Sequence, residues 1–343
     1  MTSIKDLSLH DLEQQFALLG EPAYRARQVA AWLYKKNVSD FAEMTNLGKQ
    51  LRDKLSQQWF ISNPVIVREQ TAQDKTRKFA LRFDDGVVVE CVIIVDEKRR
   101  TLCISTQAGC KRKCVLCATG KMGFKRNLTQ AEILDQIIVA NRVLAPKEHI
   151  THLVFMGMGE PFDNFDTVLA ALRIIHADHG MCVSPGRTTI STVGVLEGIE
   201  RLGKEGQGEG LAISLHASDD ETRKKLIPHA RSVSIDQIIQ AAAVYARVTG
   251  DKVTFEYVMI KGVNCFPADG KRLAKLLSQL PSKINLIPCN QVADSPYRMP
   301  GQAEIDAFMK ELYDSPVIVT VRKSKGRDIM AACGQLAGSV PPV

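Results

Sequence analysis

Cys103-Ile-Ser-Thr-Gln-Ala-Gly-Cys110-Lys-Arg-Lys-Cys114-Val-Leu-Cys117 is the stretch on which the reading of this chain turns. Cys110, Cys114 and Cys117 form a C-x3-C-x2-C triplet, and Cys103 lies seven residues upstream of it. Three thiolates so closely spaced can hold three irons of a cubane [4Fe–4S] cluster, whereas ordinary electron-transfer clusters take four. The iron left open can chelate a small molecule through an amino and a carboxylate group, and S-adenosylmethionine offers both. Two other readings stand beside this one. The triplet could join a distant ligand around zinc, or Cys103 could complete a four-cysteine cluster. Zinc sites usually arrive as two close pairs, and no second C-x2-C occurs in the sequence.

Composition narrows the setting. The chain has 343 residues, 45% hydrophobic and 24% charged, enough to bury a core and stay soluble. It has no apolar run of membrane-spanning length, and Met1-Thr-Ser-Ile-Lys-Asp lacks the core of a signal peptide, so a cytoplasmic protein without a membrane partner is expected. Nine cysteines, grouped as ligands rather than spread as pairs, suit a reducing compartment. The net charge of +7 permits an anionic partner without requiring one. Its distribution says more, because eight Lys/Arg and no Asp or Glu lie between Arg99 and Arg126. Such a run is either a solvated loop or the basic mouth that a phosphate-backbone substrate needs.

Outward from the cysteines, the pattern predicts four regions. Residues 1–62 read as a helical unit, with Tyr24, Val29, Trp32 and Leu33 on one face and Phe41, Met44, Leu47, Leu51 and Leu55 repeating at three and four. Residues 63–97 read as a small β extension, with Phe79, Leu81 and Phe83 alternating, a turn at Asp84-Asp85-Gly86 and a strand from Val87 to Val95. Glu90 shares a face of that strand with Val88, Val92 and Ile94, where lost solvation suits a carboxylate to accept a proton. Residues 98–315 repeat strand, loop and helix six times, with a capping box Thr129-Gln-Ala-Glu132 opening the first helix. Six βα units are too few for a closed eight-stranded barrel, so the fold class is α/β, a partial (β/α)6 TIM-like barrel open on one side. Residues 316–343 supply a strand at 317–321 and a loop carrying Cys333.

The cysteine triplet is similar to the signature of the radical S-adenosylmethionine superfamily. The wider text Gln107-Ala-Gly-Cys-(x3)-Cys-(x2)-Cys-Ala-Thr-Gly-(x2)-Gly-Phe-(x)-Arg-Asn-Leu resembles the RlmN/Cfr family of RNA adenine methyltransferases. Further matches follow in order. Met-Gly-Met-Gly159-Glu160-Pro comes after the second strand, Ser191 ends the third, Ser214-Leu215-His216 end the fourth, and Asn290 follows the sixth. Ala-Cys333-Gly-Gln-Leu resembles the family's methyl-carrying loop. A tryptophan often precedes the family's asparagine, and here the residue is Cys289.

The resemblance implies a radical enzyme that methylates C2 of adenine 2503 in 23S rRNA, with adenine 37 of some tRNAs as a second target. It implies one [4Fe–4S] cluster on Cys110, Cys114 and Cys117, and two S-adenosylmethionine molecules per turnover. Gly159, Glu160, Ser191, Ser214, Leu215, His216 and Asn290 would contact that cofactor. Cys333 would carry the methyl group as S-methylcysteine, a 5′-deoxyadenosyl radical would activate it, Glu90 would accept a proton, and Cys103 would release the product by forming a disulfide with Cys333. The helical unit would help hold RNA, flavodoxin or ferredoxin would supply electrons, and the chain would act as a monomer. C8 methylation, the antibiotic-resistance variant, shares these motifs. A non-catalytic iron–sulfur RNA-binding protein is the alternative of another class.

Overall fold

The computed structural model describes residues 1–228, 232–292 and 295–338. Its N-terminal unit runs β1 (Thr2–Ser3), α1 (Leu9–Leu18), α2 (Ala23–Tyr34), α3 (Lys49–Gln58) and β2 (Trp59–Phe60), and β1 pairs in parallel with β2 to tie its two ends together. Ser8 and Asp11 close a capping box at the start of α1, satisfying two backbone donors that the first turn would leave unpaired. Leu12, Phe16, Val29, Leu33, Leu51 and Leu55 from the three helices meet Phe41, Met44 and Leu47 in one buried cluster. Tyr24 does not join them. It is 52% exposed, because Ala26, Val29, Ala30 and Leu33 form the buried face of α2 and residue 24 turns away from it. Trp32 is half-buried at the rim, donating to Asn46 and covered by the Lys36 ammonium.

The unit is fastened to the rest of the chain by a buried ion pair. Lys5 and Asp135 are each about 1% exposed, and the Lys5 ammonium also donates to the Ser62 carbonyl at 2.7 Å. Gln130 donates to the Lys5 carbonyl at 2.7 Å, and the Ala131 amide to Asp6 at 2.9 Å, so the N-terminal turn sits on the first turn of the next long helix.

Four strands then run antiparallel: β3 (Val65–Thr71), β4 (Arg77–Arg82), β5 (Val88–Asp96) and β6 (Arg99–Cys103). β3 has no clean alternation in its sequence, Val-Ile-Val-Arg-Glu-Gln-Thr, because it is an edge strand with little buried on either face. A short hairpin, β7 (Gln107–Gly109) and β8 (Phe124–Asn127), flanks the one-turn helix α4 (Ala118–Lys121). Next come α5 (Gln130–Arg142), β9 (His152–Phe155), α6 (Phe165–His176), β10 (Thr188–Thr192), α7 (Leu196–Glu205) and β11 (Gly210–Ser214). The chain continues through α8 (Asp220–Leu226), α9 (Ile235–Thr249), β12 (Val253–Met259), α10 (Pro267–Leu277), β13 (Ser282–Pro288), α11 (Gln302–Lys310) and β14 (Ile318–Val321).

Ten strands make one sheet in the order β14-β13-β12-β11-β10-β9-β6-β5-β4-β3. From β6 to β14 every pairing is parallel. This is the expected partial barrel, and β14 adds a seventh parallel strand beside the sixth. Strand residues separate by parity. In β12, Phe255 and Tyr257 are fully buried in the main core, whereas Glu256 and Val258 face the interior cavity. Leu211 and Ile213 of β11, and Ile284 and Leu286 of β13, repeat the outward set. Each such burial contributes about 1.5–3 kcal/mol, which fixes strand register and so aims the alternate residues inward.

Candidate active site

The cysteine triplet sits on the loop that joins β7 to β8. Gly109 has φ +77, and a Cβ there would lie 1.9 Å from the Gly123 carbonyl oxygen, so the two ends of the loop touch through glycine backbone. Gly120 is also tightly packed, its would-be Cβ 2.6 Å from the Cys114 carbonyl oxygen. Cys110 is buried, Cys114 and Cys117 are half-buried, and all three face one cavity at the C-terminal ends of the parallel strands. Burial pushes the Cys110 thiol up to about 12 and raises Cys114 further, with the charges of neighbouring cysteines adding to both. Three thiols around one mouth are the soft donor set that an iron–sulfur cluster takes.

The strand-end motifs line the same cavity. After β9, Gly159 has φ +101 and would place a Cβ 2.6 Å from the Gln107 side chain. Glu160 follows, 2% exposed, accepting the Phe162 amide at 3.1 Å and the Val193 amide at 2.8 Å. Burial raises its pKa to about 7. Ser191, Ser214, His216 and Asn290 line the cavity from β10, β11 and the loop after β13. Leu215 is fully buried and does not line it; its amide donates to the Glu256 carbonyl at 3.0 Å. His216 adopts φ +59, and its Nδ1 accepts the Val258 amide at 3.2 Å, leaving Nε2 to carry the ring proton. Burial, helped by Arg223, pulls its pKa down to about 4. Cys289 packs with Leu226, Ile227 and Ile260 as part of an apolar sleeve around the cysteine loop.

Cys103, at the end of β6, and Cys333, in the C-terminal loop, both line this cavity. Burial, and then the charge of Cys333, push the Cys103 thiol up to about 12, whereas Cys333 itself is exposed. Asn290 donates to the Cys333 carbonyl at 3.2 Å, and the Ala118 amide donates to Gly334 at 2.7 Å, so the loop is tied to both β13 and the cysteine loop. Glu90 lies apart from the cavity lining. It is 3% exposed, paired with Lys78 at 3.2 Å, and accepts the amides of Ala337 and Gly338 at 2.8 and 3.2 Å. Its surroundings are therefore polar where the sequence suggested aliphatic neighbours.

Residues 2–61 match the family described as ribosomal RNA large subunit methyltransferase N-terminal domain, and residues 104–265 match the radical SAM superfamily. The chain is 41% identical over 345 residues to the dual-specificity RNA methyltransferase RlmN of Desulfotalea psychrophila, covering 97% of this chain and 94% of that protein. The chain belongs to the RlmN family. A probable dual-specificity RNA methyltransferase RlmN of Thermus thermophilus is 44% identical, with 97% and 95% covered. The crystal structure of a radical SAM methyltransferase from Sphaerobacter thermophilus superposes with a TM-score of 0.94 at 40% identity, covering 99% of this chain and all of that one. RlmN-family membership makes the chain a radical SAM methyltransferase, and that superfamily implies a [4Fe–4S] cluster and S-adenosylmethionine. No described helix is long and apolar enough to cross a membrane.

Several site residues carry no motif. Arg223 of α8 is 2% exposed, donates to the Val193 carbonyl beside Cys114's charge, and has no partner for Nε. Glu256, Arg322 and Lys325 also line the cavity. Only the parity of the strands could have found Glu256. Three of the eight basic residues in the run are neutralised: Arg112 pairs with Asp163, Arg100 with Glu148, and Arg126 with both Asp85 and Glu132. Lys111 lies over the Phe124 ring, and Lys111, Lys113 and Lys125 remain at the surface of the hairpin.

Proposed function

We propose that the chain methylates C2 of an adenine in RNA, with adenine 2503 of 23S rRNA as its target and adenine 37 of certain tRNAs as a second. The observation that carries this reading is one cavity lined by Cys110, Cys114 and Cys117 and by two further thiols, Cys103 and Cys333. Adenine C2 is electron-poor and does not attack a sulfonium methyl, so a methyl group must reach it by radical chemistry. When bound, the [4Fe–4S] cluster and S-adenosylmethionine supply the methyl group and the hydrogen-abstracting radical. Everything else falls to the chain.

In this reading Cys110, Cys114 and Cys117 hold one cluster, and each turnover consumes two S-adenosylmethionine molecules. Gly159 leaves room for the cofactor's backbone contacts, and Glu160 faces its ammonium group. Ser191, Ser214, the backbone at Leu215, the Nε2–H of His216 and Asn290 hold its ribose and adenine. Cys333 carries the methyl to the base, held by Asn290 and by the hydrogen bond at Gly334. Cys103 then attacks the Cys333 sulfur, forming a disulfide and freeing the methylated RNA. Glu90 receives the adduct proton at the carboxylate that also holds the amides of Ala337 and Gly338, which requires the tail to lift. Residues 2–61 help hold the RNA, a flavodoxin or ferredoxin supplies electrons, and the chain works as a cytoplasmic monomer.

Anaerobic reconstitution followed by incubation of 23S rRNA fragments with methyl-labelled S-adenosylmethionine tests this. The expected product is 2-methyladenosine, detected by mass analysis of digested nucleosides and absent with Cys333→Ala. Recovery of 8-methyladenosine would move the reaction to C8. Release of 5′-deoxyadenosine without any methylated nucleoside would overturn the RNA reading.

A further inference from the structure

A row of polar side chains crosses the inner face of the barrel at one level. Ser214 pairs in register with Glu256, Glu256 with Asn285, and Asn285 with Thr320, across β11, β12, β13 and β14. The Thr320 hydroxyl donates to Asn285 Oδ1, and Asn285 Nδ2 donates to Glu256 Oε1 at 2.9 Å. The row ends there. Glu256 is 5% exposed, lines the cavity, and its Oε2 is buried without a hydrogen-bond partner. Leaving such an oxygen unpaired is costly, so a donor entering the cavity is what the arrangement lacks.

The other ionisable groups on the wall already accept backbone amides, are cations, or are thiols with roles of their own. Both oxygens of Glu160 accept backbone amides. His216 Nδ1 accepts the Val258 amide. Arg112, Arg322 and Lys325 are cations with no lone pair to offer. Glu90 lies outside the lining and is held by Lys78 and two amides. Among the described residues Glu256 Oε2 is therefore the carboxylate oxygen on this wall that no protein donor reaches, and the Glu256 charge acts on the Cys333 thiol of the same cavity.

We propose that Glu256 is the base that takes the Cys333 proton when that sulfur is methylated. The inference rests on the proposed role of Cys333 as methyl carrier. The thiol proton passes to Glu256 Oε2, and the S–H electron pair forms the new S–CH3 bond. The methyl–sulfonium bond breaks with its pair retained by the departing sulfur, which leaves as neutral S-adenosylhomocysteine. The step needs such a base because a cysteine thiol is largely protonated at neutral pH. Burial raises the pKa of Glu256 and so brings base and acid closer together.

Glu256→Gln keeps the acceptor for Asn285 and removes the base. In the reconstituted enzyme, supplied with methyl-labelled S-adenosylmethionine and no RNA, Cys333 methylation read by peptide mass should slow about 10²–10⁴-fold. The same variant, treated with iodoacetamide in the absence of S-adenosylmethionine, should alkylate Cys333 faster, with its pH profile moved to lower pH, because a neighbouring negative charge is gone. A base gives these opposite signs. Acceleration of both reactions, or no change in methylation, would overturn the proposal. Glu256→Asp guards against a folding effect: it should methylate at an intermediate rate and alkylate like the parent, and behaviour like Glu256→Gln would also overturn the base role. If the parent protein acquires no methyl on Cys333, the reading of Cys333 fails and this step fails with it.

Discussion

Replacing Lys5 with Met should loosen the N-terminal helical unit from the barrel, and the structure sets the size of the effect. Lys5 and Asp135 are each about 1% exposed; Lys5 meets Asp135 Oδ1, and the buried Oδ2 has no hydrogen-bond partner. Deleting one member leaves the other charged, buried and uncompensated, which costs about 3–5 kcal/mol. Removing both and restoring volume with Lys5→Met/Asp135→Leu should lie within about 1 kcal/mol of the parent, because the desolvation of two ions is relieved together. At about 1.4 kcal/mol per tenfold, the single change should raise the open population of the unit at least 10²-fold. Hydrogen exchange of the amides in α1 and α2, supported by limited proteolysis near residue 62, reads that population directly. The hydrogen bonds from Gln130 and Ala131 to the N-terminal turn remain in every variant, so the comparison isolates the ion pair. A double variant as unstable as the sum of the singles would refute the reasoning, as would single changes costing under 1 kcal/mol.

Three further outcomes are expected. Gly109→Ala places a Cβ against the Gly123 carbonyl in a left-handed backbone position, so iron and sulfide bound per chain after reconstitution should fall sharply, with the far-UV spectrum little changed. Glu160 has a folded pKa raised to about 7, so its contribution to stability is full below the unfolded value of about 4.3 and is lost as pH rises through 7. Glu160→Gln should therefore compare more favourably with the parent at pH 8 than at pH 5 in urea unfolding of the cofactor-free chain. His216, held down to about 4, should show no imidazole titration by NMR between pH 5.5 and 8, and its contribution to stability should be lost as pH falls from about 6.5 toward 4.

The barrel was legible because its signals are local and repeated. Each βα unit announces itself through a buried run, a cap and a periodic helix, as at Thr129 and Glu132, whose capping box is present with the Thr129 amide 2.9 Å from the Glu132 carboxylate. Motif residues fell at strand ends for the same reason. Features that depend on who lies across a gap were not legible. The sequence around Glu90 suggests an aliphatic strand face, but Lys78 and the tail amides arrive from elsewhere in the chain. The basic run looks like a single patch until Asp163, Glu148, Asp85 and Glu132 fold onto three of its arginines. Glu256 sits in a strand reading Val-Thr-Phe-Glu-Tyr-Val-Met with nothing to mark it. Register with Asn285 and Ser214 is what gives it neighbours.

The C-terminal tail leaves β14 at one edge of the sheet and returns to strands near the other. Lys325 donates to the Val95 carbonyl at 2.9 Å, the Gly326 amide to Asp74 at 2.9 Å, and the Ala337 amide to Glu90 at 2.8 Å. Among the described strands the sheet does not close on itself, and this strap latches its far edge, with Cys333 riding on it. In the proposed reaction the latch and the methyl carrier are one segment of chain, so a change that loosens the latch should also displace the thiol.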